Sequence, residues 1–77
     1  IMKPYEALAN AIIVQACDDY RNALNKLSQD PLSVEAYHTK NEVERFFRSD
    51  WFARLTDIDP NYLLEKLKED IIHGKSK

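Results

Sequence analysis

Val43-Glu44-Arg45-Phe46-Phe47-Arg48-Ser49-Asp50-Trp51-Phe52-Ala53-Arg54-Leu55 is the densest stretch of the chain, with four of the protein's eight aromatic residues inside positions 46–52. No narrow helical stripe hides four such side chains, so this segment both anchors a core and shows part of itself to solvent or a partner. A helix continued past Arg48 in phase with Val43 and Phe47 would carry Asp50 onto its buried face and strand a carboxylate there. A break at Ser49 avoids that cost. Ser49 then acts as N-cap, Asp50 sits in the first turn, and a short helix over 50–55 swings the i, i+4 pair Trp51 and Leu55 back onto the core. A continuous but kinked helix is the alternative. With the break, Phe47, Trp51 and Leu55 are assigned inward, and Phe46, Phe52, Arg45, Arg48 and Arg54 outward.

Upstream, Tyr5, Leu8, Ala9, Ile12, Ala16, Tyr20, Ala23, Leu24 and Leu27 recur at helical spacing and predict a first helix over about 5–27. Its apolar face is wider than a two-stranded coiled-coil seam, so it should be the spine on which two other elements pack. Ile13 and Cys17 fall at the edge of that face, and Val14 nearly opposite its centre, either as a harmless exposed valine or as part of a second contact. Asp30 and Pro31 suit an N-cap and first position, opening a second helix over about 31–48 with Leu32, Ala36, Thr39, Val43 and Phe47 on its inner face. Its first half, 32–41, is rich in mediocre helix formers and is expected to be weak. Glu44 and Arg48 form an i, i+4 pair in the favourable order. Downstream, Asp59 and Pro60 repeat the aspartate-proline device and open a last helix over about 60–72, with Leu63, Leu64, Leu67 and Ile71 inward and Tyr62 and Ile72 outside. Gly74 reads as its stop, and Lys75-Ser76-Lys77 as a polar tail.

The expected fold is therefore all-α: a single three-helix bundle-like domain with a short additional helical turn near 50–55. Composition agrees. The chain has 77 residues, 44% apolar and 31% charged, with one glycine and three prolines, too little turn material for a many-stranded sheet. A chain of this length buries only roughly 60% of its unfolded surface, so its stability margin is thin and self-association would be one remedy. The net charge of −2 is spread evenly, with no basic arm, which disfavours nucleic-acid binding by bulk charge. Cys17 is alone, so no internal disulfide forms and a reducing, cytoplasmic setting is expected. No signal peptide or membrane span is visible, and Met2 reads as the natural start with Ile1 a remnant before it.

Little in the chain suits catalysis. His38 and His73 have no cysteine or second histidine at metal-ligand spacing. Cys17 reads as a buried, inert thiol rather than a nucleophile. The single glycine, at position 74, excludes a phosphate loop and a dinucleotide fingerprint. Neither Glu42 with Glu44 nor Asp57 with Asp59 converges on a pocket as acid-base pairs must. No enzyme activity, no metal and no cofactor is expected.

Ala9 to Leu24 (ANAIIVQACDDYRNAL) and Glu42 to Leu67 (EVERFFRSDWFARLTDIDPNYLLEKL) resemble a family of small helical proteins of phages and conjugative elements of Gram-positive bacteria. The similarity covers about half the chain, and the FFRSDWF run followed by LT, an acidic turn and a leucine-rich helix is its most specific part. It implies a bacterial cytoplasmic setting and a mobile-element context, and it carries over no functional residue.

The residues left to explain are arginine and aromatic. Arg45, Phe46, Arg48, Phe52, Arg54 and Tyr62 form the expected interaction surface, because arginine and large aromatics combine contact area with specific hydrogen bonding at protein interfaces. The expected function is a small protein-protein interaction module that binds a host or element protein, with self-association included. The alternative is a nucleic-acid-binding accessory protein with Arg45, Arg48 and Arg54 on phosphates.

Overall fold

The structure, a computed structural model, describes residues 4–74, and side chains over 5–70. Ile1, Met2 and the tail 75–77 lie outside the described residues, as do the side chains of Ile71, Ile72 and His73. Four helices follow one another: α1 (Pro4–Gln29), α2 (Val34–Phe47), α3 (Asp50–Leu55) and α4 (Pro60–Gly74). No strand occurs among the described residues, and the all-α expectation with a short helix at 50–55 holds.

At ~1.5 Å per residue α1 is about 39 Å long and α2 about 21 Å, so α2 cannot reach the first turns of the spine. This explains the first departure from the sequence reading. Tyr5 and Leu8, expected inward, are each 60% exposed, whereas Ile13 and Cys17, expected at the edge, are buried with Ala9, Tyr20 and Ala23. The buried line of α1 is turned toward Ile13 and Cys17 because α4 packs on that flank, with Leu64 and Leu67 in the same core as Cys17 and Tyr20. Val14 is exposed.

The turn between α1 and α2 also differs from expectation. α1 runs two residues further, to Gln29, and α2 begins at Val34 rather than Pro31. Asp30 accepts from the Leu32 amide at 3.2 Å in a local turn, while Ser33 is the true N-cap, its Oγ accepting from the Ala36 amide. With α1 extended, a helix starting at Pro31 would leave one residue to reverse the chain, and a reversal needs several. Leu32, assigned to the inner face, is consequently 88% exposed. The later aspartate-proline device works as read: Asp59 Oδ1 accepts from the Asn61 amide at 3.0 Å and α4 starts at Pro60.

Ser49 joins α2 to α3. Its Oγ donates to the Phe46 carbonyl at 2.6 Å and accepts from the Phe52 amide at 3.2 Å, so one hydroxyl ties off one helix and caps the next. Ser33→Ala and Ser49→Ala should each lower stability by about 1 kcal/mol, the usual cost of a lost N-cap, read as a shift in urea midpoint at unchanged m-value.

The core is an aromatic and leucine cluster built on Tyr20, Phe47, Phe52, Leu64 and Leu67. Phe47 and Phe52 meet edge to face at 5.1 Å, and Tyr20 meets Phe47 at 6.5 Å. The Tyr20 hydroxyl crosses from α1 to donate to Glu44 Oε2 on α2 at 2.7 Å, and Lys40 Nζ holds the same oxygen at 3.1 Å. Glu44 is thus taken by Tyr20 and Lys40 rather than by Arg48, whose Nη1 instead reaches Asn61 of α4 at 3.4 Å.

Candidate functional site

The segment 46–52 divides differently from the sequence assignment. Phe52, expected on the interaction surface, is 1% exposed and belongs to the core; Trp51, expected inward, is 56% exposed. The direction in which α3 leaves α2 decides this. Ser49 is extended, at φ −84 and ψ 160, and its cap holds the Phe52 amide against the end of α2, which drives the Phe52 ring between Phe46 and Phe47. Chemistry favours the same choice, since a phenyl ring has no polar group to satisfy while an indole N–H is better left near water.

Phe46 is half-buried and central. It contacts Phe47 at 5.6 Å, Phe52 at 5.7 Å and Trp51 at 5.5 Å, the last edge to face, so the exposed indole rests on a ring that is itself wedged into the core. Trp51 is therefore a supported aromatic on the surface. Arg45 shares a shallow depression with Phe46, Ser49 and Trp51. Arg54 lies one turn beyond Trp51 on α3 and is exposed. Neither Arg45 nor Arg54 enters an ion pair among the described residues. Arg48 and Tyr62 turn elsewhere: Arg48 bridges to α4 through Asn61, and Tyr62 on α4 carries Lys66 Nζ at 5.8 Å from its ring. Of the expected surface, Arg45 and Phe46 come together, Arg54 is near, Arg48 and Tyr62 belong to the α4 side, and Phe52 is withdrawn.

The structure adds to Phe46 residues that the sequence reading had assigned to the core rather than to a surface. Ile12, Ala16, Val43 and Phe46 line a groove between α1 and α2 that Trp51 borders, with Gln15, Asp19 and Glu42 as its polar members. A second depression shares Asp19 and continues between the same helices past Ala23 and Ala36 to Lys26 and Glu35. Together they make one furrow along the flank of α1 opposite the one on which Arg21 pairs with Asp70 of α4 at 3.8 Å. Its signal in the sequence was the apolar face of α1 read too far inward: Ile12 and Ala16 are half-buried, and no helix among the described residues lies over the groove they line.

Cys17 is buried, and that burial, chiefly, pushes its thiol above the ordinary range; Arg21 acts against the shift and Asp18 with it. The thiol stays protonated, a poor nucleophile. His38 is exposed on α2 beside Tyr37. Among the described residues no group of three or more His, Cys, Asp or Glu side chains is placed to hold a metal ion, and no helix is long and apolar enough to cross a membrane. Compared with known proteins, the chain matches no protein-family model, no curated protein and no solved structure.

Proposed function

We propose that the chain is a small helical interaction module that works by binding another protein, in the bacterial cytoplasm and in the mobile-element context that the sequence resemblance implies. The observation that carries this reading is Trp51, 56% exposed yet braced on Phe46 at the edge of an apolar groove. A rigid aromatic that loses little conformational freedom on contact is a typical anchor of protein interfaces. Arg45 and Arg54 beside it, free of internal ion pairs among the described residues, add hydrogen-bonding capacity at the rim. Nucleic-acid binding through the same arginines is the weaker reading, because Asp19 and Glu42 line the groove next to Trp51 and would repel a phosphate backbone.

A photo-cross-linking amino acid at position 54 tests this in a lysate of the host bacterium. The expected result is a discrete protein adduct that survives nuclease treatment and does not form with the cross-linker at the exposed position 14. Equal labelling from both positions, or a gel shift of plain duplex or single-stranded DNA or RNA at low salt, would overturn the reading.

A further inference from the structure

The furrow between α1 and α2 is apolar at its Trp51 end, more polar toward Lys26, where Asn22 and Thr39 join Ala23 and Ala36, and mainly acidic in its charged lining. Asp19 lines both of its halves, and from Ile12 to Lys26 it follows α1 for about 21 Å at ~1.5 Å per residue. That length accommodates about four turns of helix. Ala16, Ala23 and Ala36 keep its floor low enough for another backbone to come close, while Ile12, Val43 and Phe46 supply contact area. A helix laid there would complete a four-helix arrangement of which α1, α2 and α4 already form three members. Trp51 closes one end as a ready anchor.

Charge selects the occupant. The charged side chains along the furrow are Asp19, Glu35 and Glu42 against Lys26, with Arg45 beside Glu42 at the Trp51 end, which leaves an acidic excess, and neither Glu35 nor Glu42 is held in an ion pair among the described residues. A second copy of the chain, laid furrow to furrow about a two-fold axis, would bring Asp19 and Glu42 near the axis against their own copies. We infer that the furrow is a docking site for an amphipathic helix of another protein, apolar on one face and flanked by lysine or arginine. This rests on the reading of the chain as an interaction module and gives that module a partner chemistry. Recognition would be of the helix-in-groove kind, with apolar anchors at i, i+3 or i+4, and i+7.

Trp51 is the single tryptophan of the chain and reports on the site directly. The probe is a synthetic helix of about 16 residues, matched to the furrow's length, with a leucine stripe flanked by lysines, beside a twin whose lysines are replaced by glutamates. The expected result is a saturable blue shift of Trp51 emission with the lysine helix, weakened by salt, and none with the glutamate twin. Trp51→Phe and Ala16→Glu, each checked for native helicity by circular dichroism and followed by anisotropy of a labelled peptide, should weaken binding, the latter by about thirtyfold, as loss of an interface hot spot does. Glu35→Lys with Glu42→Lys should reverse the preference between the two peptides. Equal binding of both peptides, an affinity indifferent to Ala16→Glu, or a concentration-dependent dimer whose formation blue-shifts Trp51 and excludes the lysine helix would overturn the inference. The cross-linking adduct at position 54 fails independently of these outcomes, so a wrong occupant and a wrong function are told apart.

Discussion

Phe52→Ala should strongly destabilise the protein, while Trp51→Ala, its immediate neighbour, should cost little. Phe52 is 1% exposed and packed edge to face on both Phe46 and Phe47, so truncation removes a whole ring from a close-packed core and leaves a cavity. Such changes cost about 3–5 kcal/mol. A domain of this size has only about 4–12 kcal/mol of stability, so the loss takes a large share of it. Trp51 loses mainly its edge contact with Phe46, worth about 1 kcal/mol. Urea titrations followed by circular dichroism would rank the two. A Trp51→Ala variant less stable than Phe52→Ala would mean that α3 leaves Ser49 in the opposite sense, and the groove edge would then be built from Phe52.

The second large effect is a stability profile shaped at both ends of the pH scale by the buried Tyr20 and its partner Glu44. Partial burial alone would raise the Glu44 carboxyl, but the hydrogen bonds from Tyr20 and Lys40 and the charges of Lys40 and Lys68 outweigh it, so the group lies below its ordinary value. Its folded pKa is the lower one, so its contribution is complete above the unfolded carboxylate value of about 4.3 and fades as pH falls through the folded value. Tyr20 moves the other way: desolvation first, then its hydrogen bond to Glu44 and that group's charge, raise the phenol, with Arg48 opposing. Its contribution is complete below the unfolded tyrosine value of about 10 and is lost as pH rises through the folded one. Tyr20→Phe should cost about 1.5–3 kcal/mol near neutrality, the worth of a hydrogen bond to a charged group. It should also flatten the alkaline limb, and Glu44→Gln should flatten the acid limb. Thermal melts of the three proteins across pH check both. An alkaline limb unchanged in Tyr20→Phe would show that this bond does not link α1 to α2.

Much of the candidate site was legible in order but not in orientation. Ser49 as a break, Asp59 and Pro60 as a start, and Phe47, Leu64 and Leu67 as core follow from caps and spacing, which are properties of a few adjacent residues. The same reasoning put Phe52 outside and Trp51 inside. A cap residue reveals that a helix begins but not the angle at which it departs, and over six residues the periodicity is too short to choose between adjacent faces. Ser33 in place of Asp30 as the cap of α2 has a similar cause, since both residue types cap well and only the space needed to reverse the chain separates them.

The sequence by itself determined that this protein is helical and where three of its four helices start to within a residue. Those facts rest on local hydrogen bonds and on the helical repeat. Only the tertiary structure decided which flank of α1 is covered. Helices of unequal length, with α4 on one flank and, among the described residues, only Trp51 of α3 at the edge of the other, leave Ile12, Ala16 and Phe46 along an open furrow. Packing between distant segments sets that asymmetry, and no local pattern encodes it.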